Sequence, residues 1–237
     1  MSKSSSDVHS CLAGLSDAAR PFVTYIGDEG RTELSVSSVR NAVAKIANAL
    51  TLEFDLEPGS PVGVQLPWHW QRVTWLLGIW SAGCTALFDD VSLCSVMVSS
   101  PQLLVSSPRL TAETSVPTLV VSLHPFGLPL DEQAFATLPE SAEDAAIVVR
   151  RQPDQQIVTG HYSDVAAVPD VPQRQLLDMG RNFAGDREHV KRLGINSSNP
   201  YPWLPAVWPL VSGGSTIMGQ DFTAEVIDRE RIDQIAD

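Results

Sequence analysis

Lysine is scarce in this sequence, because Lys3, Lys45 and Lys191 are its only lysines among 16 basic residues. A mechanism that needs a lysine to bind phosphate or to catalyse a reaction therefore has few candidates. The 28 acidic residues give the chain a formal charge of −12. Because that charge repels the phosphates of nucleic acids and of anionic membrane surfaces, we expect the chain to bind neither.

Cysteine is also rare, and its spacing does not form a site. Cys11, Cys84 and Cys94 are odd in number and lack the CxxC spacing of zinc and redox centres, so we expect reduced and mostly buried thiols. Residues 1–14 contain no continuous apolar segment of the kind found in signal peptides. The uncharged run 73–88 is shorter than the roughly 20 residues that cross a bilayer. The sequence therefore predicts a cytoplasmic protein without a membrane segment.

The composition is that of a folded protein with a large core. Hydrophobic residues make up 43% of the chain and charged residues 19%, which argues against disorder. We divide the chain into a polar leader, residues 1–20, and one domain, residues 21–237. A proline-marked connection at 168–172 indicates a soft subdivision within that domain.

A periodic apolar pattern after Ser35 predicts a helix. Its apolar residues recur every three or four positions and define one buried face. They are Val36, Val39, Val43, Ile46 and Leu50. Next come a break at 57–59, a short apolar strand at 62–66, a tryptophan-rich helix and a second apolar strand at 85–88. Strand, helix and strand in so short a segment predict a βαβ unit with a parallel sheet.

Further segments extend this α/β pattern. The short apolar segments predicted as strands are 22–26, 32–34, 95–98, 103–106, 118–123, 146–150, 156–159 and 215–218. A helical pattern follows Val171, and residues 222–235 are predicted as the last helix. The predicted fold class is α/β, with layered parallel or mixed sheets and flanking helices.

The order of these elements resembles the opening of the acyl-adenylate-forming superfamily, which includes acyl-CoA synthetases, luciferases and the adenylation domains of peptide synthetases. The residues that carry the first match are Leu56-Glu57-Pro58-Gly59, Val62-Gly63-Val64, Leu66-Pro67 and the helix before Gly83. A second match, in the expected order, is 204–210 followed by Ser212-Gly213-Gly214-Ser215-Thr216. The resemblance implies the fold of the first half of that superfamily's large domain, as in shortened bacterial homologues.

The superfamily's phosphate-binding loop has no counterpart in the sequence. The resemblance implies a strand that runs into a Ser/Thr-Gly loop with a lysine, whose amides and cation hold the phosphates of ATP. Residues 144–149 would supply the strand, but 150–156 contain neither glycine nor lysine, and Asp154 would repel the anion. The resemblance also implies a histidine in the aromatic segment 199–203, which has none.

The superfamily's later segments, which hold adenine and ribose and carry a catalytic lysine, are absent as well. We therefore expect no adenylation by this chain alone and assign no catalytic residue. No cofactor is predicted, since ATP, AMP and CoA are implied only by the resemblance. No residues show the spacing of a metal site, so none is predicted.

A vestigial cleft near the lost loop is the candidate ligand site. Arg150 and Arg151 could bind a carboxylate or phosphate, or could lie in solvent at a strand end. His161 stands where many superfamily members carry a histidine. The alternative interpretation is a surface histidine with no role in binding. The residues assigned to this cleft are Arg150, Arg151, His161, Ser212, Gly213 and Gly214. The last three precede a strand rather than open a helix, so a tight turn is the alternative.

Tryptophan is the residue type best suited to mark a pocket or an interface. The tryptophans of the helical run 75–80 are expected in the core. Trp68, Trp70 and Trp203 stand beside prolines or polar residues. These three are candidates for an interface or the mouth of a pocket.

Three hypotheses for function follow. The first is a protein without catalytic activity that keeps the fold as a binding or assembly module, as a homo-oligomer or with a protein partner, because a shortened sheet exposes its edges. The second is a small-ligand binder that holds acyl-CoA or an adenine nucleotide in the vestigial cleft. The third is an adenylate-forming acyl ligase completed by another chain.

Overall fold

The computed structural model describes residues 7–28, 30–88, 94–99, 116–136, 138–139, 141–185 and 187–236. Its strands are β1 (Pro21–Gly27), β2 (Gly30–Ser35), β3 (Pro61–Gln65), β4 (Thr85–Leu87), β5 (Val96–Ser99), β6 (Thr118–Val120), β7 (Ala142–Asp144), β8 (Ala166–Val168), β9 (Val171–Pro172), β10 (Arg192–Asn196), β11 (Ser215–Gly219) and β12 (Gln234–Ala236). Its helices are α1 (Val8–Ala13), α2 (Val36–Asn48), α3 (Trp70–Ser81), α4 (Glu132–Phe135), α5 (Ala145–Arg150), α6 (Gln173–Gly185), α7 (Leu204–Ser212) and α8 (Ala224–Glu230). A turn of π-helix, Ala49–Glu53, extends α2. The strand predicted at 103–106 lies outside the described residues.

Two five-stranded sheets form the body of the fold. The first has the order β12-β10-β11-β1-β2 and is parallel except for the antiparallel pair β1 and β2. The second has the order β4-β3-β5-β6-β7 and is parallel throughout. The predicted α/β class is therefore confirmed, with one mixed and one parallel sheet. Because β1 pairs with β11, the first sheet joins early and late parts of the chain.

Helix α2 begins where the sequence predicts. The Ser35 hydroxyl accepts a hydrogen bond from the Ser38 backbone N–H at 3.2 Å and caps the first turn. The predicted apolar stripe is buried, since each of its side chains is at most 3% exposed. It packs on α3 so closely that a Cβ atom at Gly78 would lie 2.4 Å from Ile46 Cγ2. Glycine at position 78 therefore sets the distance between the two helices.

Helix α3 is buried on nearly all of its surface. Every residue from Trp70 to Ser81 except Arg72 is buried. The helix connects β3 to β4, which pair in parallel, so the predicted βαβ arrangement of a parallel pair around a helix is confirmed. The Trp80 indole donates a hydrogen bond to the Ala167 carbonyl at 2.8 Å. This bond ties α3 to the antiparallel hairpin of β8 and β9.

The predicted polar leader contains a helix that packs on the core. Val8 and Leu12 of α1 are 0% and 3% exposed. The Gln173 side chain accepts a hydrogen bond from the Val8 backbone N–H at 3.0 Å and donates one to the Trp80 carbonyl at 2.7 Å. Helix α1 is thus fastened to α3 and α6, whereas the subdivision near 168–172 stays a prediction.

Two of the predicted strands are wrong. Residues 146–150 belong to helix α5, because the Asp144 carboxylate accepts hydrogen bonds from the backbone of the first turn and starts a helix. Residues 156–159 form no strand. Instead, the Ile157 backbone N–H donates a hydrogen bond to the side-chain oxygen of Asn48 at 2.8 Å. Both segments are held by side chains rather than by a sheet.

The helix predicted at 222–235 is too long. Helix α8 ends at Glu230, and Arg231 adopts a φ of 52°, the left-handed conformation that commonly ends helices. Residues 234–236 then form β12, which pairs with β10. Within the described ranges, none of the helices combines the length and the apolar character needed to cross a membrane.

Candidate functional site

Four strand ends meet in a crevice between the two sheets. The residues at or just after the carboxyl ends of β1, β3, β6 and β11 line a cavity of about 260 Å³. The lining residues with aromatic or polar side chains are Tyr25, Asp28, Thr32, Trp68, His69 and Gln220. Ligands of parallel-sheet proteins commonly bind outside the carboxyl ends of the strands. We refer to this cavity as the strand-end crevice.

His69 fixes the amino end of α3 beside the strand-end crevice. Its Nδ1 accepts a hydrogen bond from the Gln71 backbone N–H at 3.4 Å, and its ring meets the Tyr25 ring edge-on with centroids 4.7 Å apart. Burial lowers the pKa of His69 to about 4, although a hydrogen bond with the Leu123 backbone opposes the shift. His69 is therefore uncharged at neutral pH.

A second cavity lies between α2, α3 and α5, and we refer to it as the helix cavity. Its volume is about 160 Å³, and its walls include the aromatic rings of Trp70, Trp75 and Phe126. Phe126 is 80% exposed. Arg150 also lines the cavity, and its guanidinium donates a hydrogen bond to the Gly127 carbonyl at 3.5 Å. The helix cavity therefore combines an apolar interior with one exposed guanidinium.

Segment 150–157 occupies the place where the resemblance implies a phosphate loop. Lys45 and Asn48, one turn apart on α2, donate hydrogen bonds to backbone carbonyls of this segment at 2.7 to 3.5 Å. The carbonyl groups held in this way belong to Arg150, Gln152, Pro153 and Gln155. Lys45 also forms an ion pair with Asp154 at 3.0 Å. A phosphate cradle directs N–H groups at the anion, whereas this segment directs its carbonyls at α2.

The residues of the predicted vestigial cleft have separate neighbours. Arg150 lines the helix cavity, while Arg151 forms an ion pair with Glu53. His161 is exposed on the segment before β8. Residues 212–214 lie at the opposite end of the first sheet's β11 from the strand-end crevice. In the part of the chain that the structure describes, no hydrogen bond or ion pair joins these three groups.

The turn at 212–214 is held by its own side chain. The Ser212 hydroxyl donates to the Trp208 carbonyl at 2.8 Å and accepts from the Gly214 backbone N–H at 3.0 Å. Gly213 has a φ of 69°, which glycine adopts without steric cost. Residues 212–214 therefore end helix α7 and form a tight turn before β11.

The three candidate tryptophans occupy different environments. Trp68 is half-buried and lines the strand-end crevice, whereas Trp70 lines the helix cavity. Trp203 is 8% exposed and belongs to the main hydrophobic core. It lies in the core rather than at a pocket mouth because it precedes α7, whose residues 204–210 are all buried.

Sequence reasoning misses several polar residues that shape these features. They are Lys45, Asn48, Gln71, Gln173 and Gln220. One signal was available for Asn48, which lies among the apolar residues of the predicted helix and is 0% exposed. A buried amide inside an apolar pattern needs hydrogen-bond partners from elsewhere in the chain. Within the described ranges, no group of three or more His, Cys, Asp or Glu residues is placed to bind a metal.

Comparison with sequences gives a relative but no family model. No family model matches the chain. The chain is 34% identical over 164 residues to a TIGR03089 family protein of Mycobacterium tuberculosis (strain ATCC 25618 / H37Rv). The match covers 66% of this chain and 64% of that relative. Because the two shares are nearly equal, the two chains are of similar length.

Solved structures share the fold at low sequence identity. An acyl-CoA synthetase of Brucella canis superposes with a TM-score of 0.73 at 19% identity, over 97% of this chain and 47% of that chain. Coronafacic acid ligase of Pectobacterium brasiliense superposes with a TM-score of 0.74 at 10% identity, over 97% and 49%. A fatty acyl-adenylate ligase of L. pneumophila gives 0.67 at 15% identity, over 97% and 44%.

The chain has the fold of the acyl-adenylate-forming enzymes. The resemblance inferred from its sequence is thereby confirmed for the fold. The chain spans about half the length of these solved enzymes.

The stability of the fold is expected to depend on the protonation of His69. In the unfolded chain the imidazole binds a proton near its ordinary pKa of about 6.5, whereas in the folded chain it does so near 4. The unfolded state therefore binds more protons in this interval, so stability falls as the pH falls from 6.5 towards 4. We expect a loss of about 2 kcal/mol between pH 7 and pH 5.

Urea denaturation of the parent chain and of a His69→Asn variant, at both pH values, measures this loss. Asparagine keeps a side-chain acceptor for the cap of α3 but does not titrate. The variant should therefore lose less stability than the parent over this interval. An equal loss in both proteins would show that other groups cause the pH dependence.

Proposed function

We propose that this chain is a binding or assembly module that keeps the acyl-adenylate-forming fold without its chemistry. Segment 150–157 carries the proposal, because Lys45 and Asn48 hold its backbone carbonyls where a phosphate loop would be expected. The backbone of this segment is thus bonded to α2, and the carboxylate of Asp154 would repel an anion there. Binding of ATP phosphates here is therefore disfavoured.

The cations near this segment support the same proposal. The Lys45 ammonium donates to the Gln152 carbonyl at 2.7 Å in addition to its ion pair with Asp154. Arg151 is paired with Glu53. Arg150 is the cation best placed to meet a ligand, and one guanidinium suits a carboxylate better than a triphosphate.

The state of the thiols supports the cytoplasmic location that we propose. Cys11, Cys84 and Cys94, all within the described residues, form no disulfide bond. Burial raises the pKa of the Cys84 thiol to about 12, and burial also raises the pKa of Cys94. Cysteines that form no disulfide bonds and are mostly buried are typical of reducing compartments.

The purified chain is expected to show no carboxylate-dependent ATP–pyrophosphate exchange, because segment 150–157 offers the phosphates no cradle. Titration calorimetry with MgATP is expected to detect no binding at concentrations up to about 1 mM. An active acyl-CoA synthetase assayed under the same conditions provides the positive control.

Carboxylate-dependent exchange, or binding of MgATP at micromolar concentration, would overturn the proposal. Exchange that begins only when a second protein is added would favour an acyl ligase completed by another chain. An Asn48→Asp variant, which can no longer donate to the carbonyls of the segment, tests whether any binding that is seen involves this segment.

A small-ligand binder is the second candidate function, and the helix cavity favours it. Aromatic rings form part of the cavity's lining, which also includes the exposed guanidinium of Arg150. Its volume of about 160 Å³ is close to that of an apolar cavity, in another protein, that binds benzene. It suits a small carboxylate with a body of about one ring, but not an entire CoA ester.

Benzoate is expected to bind the helix cavity through Arg150. Calorimetry should show that Arg150→Ala lowers the affinity for benzoate by about tenfold, because a charged hydrogen bond is lost. The affinity for benzamide, which has no charge, should change much less. The matched control is Arg151→Ala, which removes the neighbouring guanidinium and should have little effect. Equal effects of the two substitutions, or no binding of benzoate, would rule out this candidate.

Exposed apolar side chains near the end of α2 support assembly. Leu52, Ile157 and Val158 are 49%, 59% and 40% exposed. Ile157 is adjacent to α2 because its N–H donates to Asn48 at 2.8 Å, and Leu52 lies one turn beyond Asn48. Clustered apolar side chains on a surface commonly mark protein contacts. We propose that this surface mediates self-association.

Sedimentation velocity is expected to show a dimer at micromolar concentration. Ile157→Glu should shift the protein to a monomer, because it places a charge within the apolar contact. Ile147→Glu provides a matched control, since Ile147 is 55% exposed on α5 and lies outside the proposed contact. A strict monomer at high micromolar concentration, or equal effects of both substitutions, would reject this surface.

A further inference from the structure

The strand-end crevice is not explained by either proposed function above. Its lining comes from early and late parts of the chain, since Tyr25 lies near the end of β1 and Gln220 follows β11. Trp68 and His69 reach it from the segment between β3 and α3. Parallel strands that end together leave such a crevice, and ligands bind there in many α/β proteins. Its location is therefore that of a ligand site.

The charges around the strand-end crevice disfavour an anion. Among the described residues that line the crevice, Asp28 is acidic and none is a lysine or an arginine. His69 also lines it, but burial keeps this side chain neutral. A phosphate or carboxylate in the crevice would face Asp28 without a compensating cation.

The helix geometry disfavours a cation. Helix α3 is 12 residues long and begins at Trp70, directly after the lining residues Trp68 and His69. The amino end of a helix carries a partial positive charge of roughly half a unit. A cation in the crevice would meet this charge, while an anion would meet Asp28. The two effects together favour an uncharged ligand.

The crevice combines aromatic surfaces with hydrogen-bonding groups. Trp68 and Tyr25 supply rings, and the Trp68 indole N–H is enclosed without an acceptor among the described residues. Gln220 and Asp28 are exposed at its rim. The Thr32 hydroxyl donates to the Pro125 carbonyl at 3.2 Å and keeps lone pairs to accept a further bond. A ligand with a ring face and several hydroxyl groups would satisfy both kinds of surface.

The size of the crevice selects among such ligands. Its volume of about 260 Å³ lies just below the usual range for pockets that bind small molecules, about 300 to 1,000 Å³. A single hexose ring fits this space, whereas a nucleoside triphosphate is too large and too highly charged. We propose that the strand-end crevice binds an uncharged monosaccharide unit, with the sugar ring against Trp68 and its hydroxyl groups on Asp28, Thr32 and Gln220. This proposal does not depend on the functions proposed for the helix cavity or for segment 150–157.

Saturation-transfer NMR and calorimetry with matched sugar pairs test the proposal on the whole chain. The probes are glucose, galactose and mannose, each compared with its 6-phosphate. At least one neutral hexose should bind, and its 6-phosphate should bind about tenfold more weakly because of Asp28. Asp28→Asn should reduce that discrimination, because it removes the repelling charge but keeps the side chain's shape.

Substitutions separate this site from the rest of the molecule. Trp68→Ala should lower the affinity for the hexose by about tenfold, because the contact with the indole ring is lost. Gln220→Ala, at an exposed position, should also weaken binding, so the test does not rely on a change at Trp68 alone. Ile147→Glu changes an exposed residue of α5 that lines neither cavity, and it should leave hexose affinity unchanged.

The proposal is overturned if no neutral hexose binds, or if the 6-phosphates bind as tightly as the hexoses. It is also overturned if neither Trp68→Ala nor Gln220→Ala weakens binding. Circular dichroism of each variant confirms that a loss of binding does not come from unfolding. Failure of these tests would leave the exchange, benzoate and sedimentation results unaffected.

Discussion

Burial of helix α3 is the constraint on which the rest of the structure depends. Of its residues, Arg72 alone is not buried, so other elements must cover the helix on nearly every side. Gly78 admits Ile46 of α2 at close range, and Trp80 bonds to the β8–β9 hairpin. Its amino end then lies between the strand-end crevice and the helix cavity. The two candidate ligand sites therefore owe their positions to the packing of one helix.

The sequence predicts an element correctly where its pattern of apolar residues is compatible with one type of secondary structure. The stripe from Val36 to Leu50 fits a helix and nothing else, and β3 and β4 are short apolar runs on either side of a second helix. The run 145–149 is different, because an uninterrupted apolar segment fits a strand or a buried helix equally well. The resemblance favours a strand there. Asp144 decides for a helix through the hydrogen bonds of its side chain.

The candidate sites are harder to derive from the sequence because distant residues build them. Tyr25 and Gln220 meet only because β1 pairs with β11, and local patterns do not specify that pairing. Arg150 could be named in advance from its chemistry, but its cavity depends on α5 being a helix. Lys45 and Asn48 illustrate the same limit, since their partners lie more than 100 positions away along the chain.

The segment 123–127 has a consequence for how the two cavities behave together. Leu123 and Pro125 line the strand-end crevice, while Phe126 and Gly127 line the helix cavity. A ligand that displaces this shared wall from one side therefore changes the shape of the cavity on the other side. Thermodynamic reciprocity then requires that each ligand alter the affinity for the other by the same factor. Five residues of irregular backbone thus give the two cavities a common wall, through which any coupling between them would act.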